Sequence, residues 1–359
     1  KQMTKKTSLY NHHLNLKAKI IPFSGFEMPV NYNKGILHEY NTIRNDCGIF
    51  DVSHMGQFFI YGDNSYDFLQ KVTINDVSKL AEYDAQYSAM CNKNGGIIDD
   101  VILYKKPNGY FMVVNAGNIN KNFQWLNDNI IDDVIIEDKS LDISLIAIQG
   151  PNTRKFLSKI TEADLHMKFY SYANANVLGQ DIMLSRTGYT GELGFELYGS
   201  HKHIIRIWEK LVNLGVEPCG LASRDILRME MKYCLYGNDI NETTNPIEAG
   251  LSWITSMDKD YFIGKDQLIK NKPEFKLIAF KMLERGIPRK DYDITLNNVK
   301  IGQVTSGTQS FILKSGIGLG YIKNEYSKIN QEIAINIRDK NIKAKIIKPP
   351  FIQNTSLLK

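Results

Sequence analysis

Residues 95–104 read GGIIDDVILY, two adjacent carboxylates, Asp99 and Asp100, inside an apolar run. Aspartate is a poor strand former, and an ionised carboxylate is costly to bury without donors. The pair therefore sits at a wet strand end just past Gly95-Gly96, or one member faces a cavity. There a carboxylate can move protons or stabilise a developing positive charge. Strand side chains alternate, so both cannot enter one pocket. Ile98, Asp100, Ile102 and Tyr104 share one face, and Ile97, Asp99, Val101 and Leu103 the other. Spacing alone favours the wet end for both.

Three further segments hold groups that could do chemistry. In GYTGELGFELYG, Gly188, Gly191 and Gly194 recur every three residues, which predicts close backbone approaches and a bend. Glu196 follows inside an apolar run, either facing solvent or buried as an acceptor for paired N–H donors, and in isolation the solvent-facing position is expected. SRDILRMEMKYC places Arg224 and Arg228 one helical turn apart, where either could bind a carboxylate; Asp225 and Glu230 are close enough in sequence to satisfy both. FDVSHM brings Asp51, Ser53 and His54 within four residues, but a local strand splays them, and no hydrolase triad is expected. GIGLGY lies between strands rather than before a helix and is no dinucleotide fingerprint.

The elements that must position these groups follow from periodicity. Residues 33–46 read as a helix, and IFDVSHMGQFFIYG as strands joined by a polar bend. QYSAMCNKNGGIIDDVILYKKPNGYFMVV reads as an antiparallel meander punctuated by two turn clusters. HKHIIRIWEKLVNLG and LASRDILRMEMKYC are amphipathic helices, and short strands with Gly- and Asn-rich turns from about Lys276 predict a separate barrel. NKPEF is the expected hinge.

A chain of 359 residues exceeds one comfortable core. A net charge of +5 without any block of like charge argues against a nucleic-acid binder. No apolar run approaches the ~18 residues of a membrane span, and the basic start KQMTKKTSLY lacks the apolar core of a secretory signal. The four scattered cysteines and the His201/His203 pair predict neither a disulfide framework nor a metal site.

Taken together, the segments resemble the aminomethyltransferase (T-protein) family of the glycine cleavage system. TSLYNHHLNLKAKIIPFSGFEMPVNY matches the family's opening. FDVSHMGQ, NKNGGIIDDVILY, VVNAGN, IAIQGP, RTGYTGELGFE, LASRDILRMEMKYCLYGNDI, NPIEAGLSW, FIGK, IGQVTSG and LGYI then follow in family order. The resemblance implies an α+β, three-domain cloverleaf around a central folate cavity, with a C-terminal β-barrel domain. The expected units are 1–50 plus 142–272 (folate-binding, discontinuous), 51–141 (inserted, with the meander) and 273–359 (barrel). It implies transfer of the methylene of the aminomethyl-lipoyl H-protein to tetrahydrofolate, giving 5,10-methylenetetrahydrofolate, ammonia and the dihydrolipoyl H-protein. Tetrahydrofolate is the co-substrate and no metal is implied. The lipoylated H-protein is the partner; no nucleic acid or membrane is expected, and the implied state is a monomer. The expected location is the cytoplasm, or the mitochondrial matrix if the source is eukaryotic.

By the same resemblance Asp100 is the catalytic carboxylate, Glu196 the folate-binding acid and Arg224 the substrate-binding arginine, while Met55, Asn115 and Tyr189 line the cavity. Asp99 is left as a solvent- or backbone-bonded neighbour. The chain departs from the family at TQSFILK, after TSG, and in the tail NTSLLK. The alternative on the same fold is a folate-dependent demethylase of a sulfonium or methylamine substrate. A non-catalytic folate-binding relative would carry a cysteine in the segment that here reads RTGYTGELGFE.

Overall fold

A computed structural model describes residues 4–359; Lys1–Met3, which the expected first unit includes, lie outside the described residues. The largest open sheet has six strands, in the order Tyr172–Val177, Gln180–Ser185, Gly194–Ser200, Ile143–Gln149, Gly48–Asp51 and Glu217–Pro218. Its covering helix is His201–Asn213, which buries Ile204, Ile207, Trp208 and Leu211, the 3–4 spacing of an amphipathic helix.

A second sheet of five strands runs Ala85–Cys91, Ile97–Lys106, Gly109–Val114, Gly56–Tyr61 and Ile135–Asp138. The first three are consecutive and antiparallel, turned by the Asn- and Gly-rich clusters. The helices Ser65–Val72 and Ile119–Asp128 pack on this sheet through Phe68, Leu69, Ile119 and Leu126. The bend FDVSHM carries the chain from one sheet to the other, since Gly48–Asp51 belongs to the six-stranded sheet and Gly56–Tyr61 to the five-stranded one. Val52–Met55 thereby fall at the junction.

Phe275–Met282, Ser315–Lys323, Val299–Ser310, Asp293–Leu296, Glu332–Ile337 and Lys340–Ile347 close into a barrel in that order. GIGLGY, expected between strands, lies within the strand Ser315–Lys323. A Cβ on Gly318 would come within 2.3 Å of the Phe280 ring, so a side chain there would displace the phenyl group from the barrel core.

A small three-stranded sheet, with Phe26–Asn31 between Lys5–Lys6 and Lys19–Phe23, packs against the helix Leu221–Glu230. Its neighbourhood is tied to the large sheet through a buried pair, His13 Nε2 to Asp51 Oδ2 at 2.8 Å. Burial would raise the Asp51 carboxyl, but His13, Thr7 and the Ser53 N–H hold it down at about 2.

The helix Ile36–Asn45 meets the barrel through a buried ionic knot. Arg44 reaches Glu192 at 2.8 Å and Glu230 at 2.6 Å, and Glu230 also accepts from Tyr40 and from Ser310 of the barrel. Replacing Arg44 leaves two buried carboxylates without their cation, a loss of about 3–5 kcal/mol. Arg44→Met should therefore lower the urea midpoint strongly. An unchanged midpoint would mean that the knot contributes nothing to stability.

Candidate active site

A cavity of about 810 Å³ opens where the two open sheets meet the barrel side of the molecule. That volume lies in the range of drug-sized ligand sites, ~300–1,000 Å³. Asp100, Glu196, Arg224, Met55, Asn115 and Tyr189 all line it. Residues from the bend 52–55, both open sheets, the helix Leu221–Glu230 and the Pro349-Pro350 segment share its wall.

Asp100 lies on Ile97–Lys106, and the wet strand end expected for the pair is not what forms. Tyr87, on the neighbouring strand, donates to Asp100 Oδ2 at 2.9 Å, and the Asn115 amide donates to Oδ1 at 2.7 Å. Burial raises the Asp100 carboxyl, against the lowering effect of these two donors. Among the described residues no Lys, Arg or His side chain lies within ion-pair distance of it.

Asp99 was expected to be bonded to solvent or to backbone; it has 0 % exposure and accepts one backbone N–H, that of Asn115, at 3.1 Å. It points away from the cavity toward the helix Ile119–Asp128 and is met there by the side-chain amides of Asn115, Asn118 and Asn122. The three come from one short stretch: Asn115 stands in the turn that follows the strand Gly109–Val114, Asn118 caps the helix Ile119–Asp128, and Asn122 lies one turn into it. Strict alternation also fails just before the pair. Ladder pairing shifts between Met90 and Cys91, so Ile98 is an extra, bulged residue and joins the core of Val101 and Leu103 rather than the face of Asp100.

Glu196 sits mid-strand in Gly194–Ser200 and faces the cavity rather than solvent. Thr187 donates to its Oε2 at 2.6 Å and Tyr198 to the same oxygen at 3.3 Å. Burial raises its carboxyl, and the Thr187 bond and the Arg224 charge oppose that. Oε1 accepts no bond among the described residues. The bend before it needs its glycines: a Cβ on Gly188 or on Gly194 would each come within 2.2 Å of the Gln149 amide, and Gly191 has φ +78°.

The two arginines of the helix Leu221–Glu230 separate sharply. Arg228 is 1 % exposed and engages Asp225 at 2.8 Å and Asp239 at 2.7 Å. Asp225 and Glu230 are close enough in sequence to satisfy both arginines, yet Glu230 turns to Arg44, and Arg224 has no carboxylate partner among the described residues. Its guanidinium lies 4.6 Å from the Tyr189 ring centroid. The Tyr189 hydroxyl is anchored on the Cys234 carbonyl, and its ring stacks on Tyr233 at 5.6 Å.

Sequence reasoning missed Tyr87, Tyr170, His54 and Trp253 as wall residues. Tyr87 carries no motif signal, because only the register opposite Asp100's strand brings it near. Tyr170 has φ +63°, a strained conformation for a bulky side chain that becomes visible only in the backbone. His54 was weighed only as a triad member; Asp51 instead pairs with His13, and Ser53 donates to the Leu145 carbonyl. The His54 ring is wedged edge-on against Phe23 and Phe26 at 5.7 and 6.2 Å. The departing segment TQSFILK places Phe311 against Tyr40, with ring centroids 5.1 Å apart.

The site thus offers an aromatic-walled slot, a carboxylate with a free oxygen, an uncompensated carboxylate held by two donors, and an unpaired guanidinium. That set suits a flat heterocycle rich in N–H donors, reacting where positive charge develops.

Comparison with known proteins agrees with this chemistry. The chain matches the family described as the GCVT N-terminal domain over residues 9–259, and the Glycine cleavage T-protein C-terminal barrel domain over residues 276–353. It is 44% identical over 357 residues to the aminomethyltransferase of Halothermothrix orenii, covering 97% of this chain and 100% of that one. It is 46% identical over 359 residues to the aminomethyltransferase of Flavobacterium psychrophilum, covering 97% and 99%. The crystal structure of glycine cleavage system aminomethyltransferase T from Bartonella henselae superposes with a TM-score of 0.93 at 30% identity, covering 98% of this chain and 99% of that one.

Burial, reinforced by the Arg224 charge, lowers the His54 imidazole from its ordinary 6.5 to about 4. The ring should therefore keep the ¹⁵N signature of a neutral tautomer down to about pH 5. A titration midpoint near ~6.5 would show that the ring is solvated rather than enclosed in the wall.

Proposed function

The chain belongs to the aminomethyltransferase (glycine cleavage T-protein) family, and from that premise we propose how its cavity performs the transfer. The protein is an aminomethyltransferase, a one-carbon-transferring enzyme of the glycine cleavage type. Tetrahydrofolate enters the cavity as co-substrate, and the lipoyl arm of the H-protein brings the aminomethyl group to it. In the net reaction the transferred carbon gives up its sulfur and its ammonia nitrogen and bonds to two folate nitrogens. The two folate N–H protons leave with the thiol and the ammonia.

The residues present fit this co-substrate. Glu196 Oε1, free of protein donors, accepts from the aminopyrimidinone edge of the pterin, while Thr187 and Tyr198 hold the other oxygen. Arg224 offers unpaired donors to the substrate's carbonyl or carboxylate oxygens. Tyr189 and the aromatic wall flank the rings, and Met55 fills the apolar side.

Asp100 carries the proposal. Tyr87 and Asn115 fix both of its oxygens, yet no protein cation neutralises it. Its negative charge is therefore left to stabilise positive charge at the transferred methylene and to relay protons from the folate nitrogens. Holding the folate nitrogen beside the aminomethyl carbon supplies much of the remaining acceleration.

We also propose that the chain divides at 1–50 plus 142–272, 51–141 and 273–359, a division supported by the sheets: the three- and six-stranded sheets fall in the first unit, apart from Asp51 at a strand end, the five-stranded sheet in the second and the barrel in the third. The bacterial relatives support a cytoplasmic enzyme. Among the described residues no helix is long and apolar enough to cross a membrane.

The direct test mixes aminomethyl-loaded H-protein with tetrahydrofolate and scores methylenetetrahydrofolate and ammonia. Absence of both products, with demethylation of a sulfonium or methylamine donor instead, would overturn the reading in favour of the demethylase that the comparisons do not favour. Asp100→Asn should cut kcat by about 10²–10⁴-fold with tetrahydrofolate affinity nearly intact. Glu196→Gln should weaken tetrahydrofolate binding by about 10–100-fold in calorimetry, as expected for losing a charge-assisted bond. Normal affinity in that variant would remove the role given to Glu196.

A further inference from the structure

Asp99 is a fully buried carboxylate that the transfer reaction does not touch, and its surroundings are unusual. Four donors converge on it. Asn115 donates twice, from its backbone N–H at 3.1 Å to Oδ2 and from its amide at 2.8 Å to Oδ1. Asn118 donates to Oδ1 at 2.7 Å, and Asn122 to Oδ2 at 2.5 Å. Asn118 is also the residue from which the helix Ile119–Asp128 starts, so Asp99 lies beside the positive end of that ten-residue helix. Among the described residues no cationic side chain pairs with it.

An ionised carboxylate only accepts, so each facing amide must turn its NH₂ group toward it. For Asn115 this has a consequence at the cavity. The same NH₂ that meets Asp99 also donates to Asp100 Oδ1 at 2.7 Å, and the Asn115 carbonyl oxygen is left with no protein donor, on a side chain that lines the cavity. We propose that Asp99 is a positioning residue: it fixes which way the Asn115 amide faces, and through that shared amide it holds Asp100 in its reactive orientation and turns the Asn115 carbonyl toward the substrate. This inference rests on the role given to Asp100 above.

Changing Asp99 to asparagine puts an NH₂ group in place of one oxygen, and at the Oδ1 position it meets the amide NH₂ groups of Asn115 and Asn118. Donor meets donor, and the relief is for Asn115 to flip. A flipped Asn115 aims its carbonyl at the Asp100 carboxylate, acceptor against acceptor, and the hold on Oδ1 is lost. The charge matters as well as the geometry. Burial raises both carboxyls, and the Asp100 charge raises Asp99 further, so the two titrate as a pair.

Other groups face the pair from the elements packed around it. Asp239 adds repulsion at Asp100, and the hydroxyls of Tyr87, Tyr170, Tyr189 and Tyr236 and the Cys234 thiol also lie within its field. Lys121 bonds the Ile98 carbonyl beside the pair, but Glu242 and the Tyr236 hydroxyl engage its ammonium. Removing the Asp99 charge leaves these groups in place and takes away one repulsion. Asp100 then ionises at lower pH.

The test compares wild type, Asp100→Asn, Asp99→Asn and Asn122→Leu with aminomethyl-loaded H-protein and tetrahydrofolate, recording kcat, KM for tetrahydrofolate and the pH profile of kcat/KM. Asn122→Leu removes one donor from Asp99 without touching Asp100 or the cavity wall, and it keeps the inference testable if Asp99→Asn fails to fold. Asp99→Asn is expected to lose about 10²-fold in kcat with KM within about threefold, and its acid limb should move about one unit lower. Asn122→Leu makes Asp99 easier to protonate, so its acid limb should move the same way by a smaller step. If both variants keep the wild-type acid limb, and activity falls only in proportion to the folded fraction, Asp99 is structural and the inference falls. If wild type forms no methylenetetrahydrofolate, the underlying function fails instead, and the two failures are told apart.

Discussion

Two carboxylates side by side in an apolar strand must each find hydrogen-bond donors, because no cation among the described residues pairs with them. Much of the five-stranded sheet and its helix answers that demand. The strand Ala85–Cys91 brings Tyr87 to Asp100, the turn after Gly109–Val114 brings Asn115 between the two acids, and the helix start brings Asn118 and Asn122 to Asp99. One requirement thus sets the register of a ladder, the polarity of an amide and the docking of a helix. The same low-dielectric setting that makes these donors necessary makes an uncompensated charge at Asp100 strong.

The rest of the molecule pairs two arginines with buried acids and leaves Arg224, in the cavity wall, without a carboxylate partner among the described residues. Arg44 is consumed by Glu192 and Glu230, and Arg228 by Asp225 and Asp239, each knot tying a helix to elements far away in sequence. Both knots reach the barrel, through Ser310 and Ser306 respectively. Arg224, one helical turn from Arg228, receives no such partner and rests on the Tyr189 ring. The two arginines on one helix are therefore separated by what the neighbouring elements supply.

Much of the fold was legible because its signals are local. The 3–4 spacing of Ile204, Ile207, Trp208 and Leu211 marks the helix His201–Asn213, and the turn clusters NKNGG and KPNG mark the meander. The glycines of GYTGELG announced a close approach, and the Gln149 amide is what they admit. The order of motifs along the chain identified the family, and with it Asp100, Glu196 and Arg224. Where local rules were extended across contacts they failed. The side-chain amides that meet Asp99 were not foreseen, because alternation says which way a side chain points, not what waits there. Ile98 was assigned to the wrong face because a bulge depends on the partner strand. Tyr87 and His54 were passed over because neither sits in a pattern that marks a cavity.

By itself the sequence determined the elements, the barrel, the family and which of the two adjacent acids lines the cavity, since periodicity and motif order are properties of the chain. Tertiary structure alone decided which charges stay free. A carboxylate or guanidinium is compensated or not according to groups tens or hundreds of residues away: Arg44 at Glu230, Arg228 at Asp239 and Asp99 at Asn122 are all made by folding. What remains unpaired at Arg224 and Asp100 is the residue of that accounting, and the reactivity of the cavity follows from it.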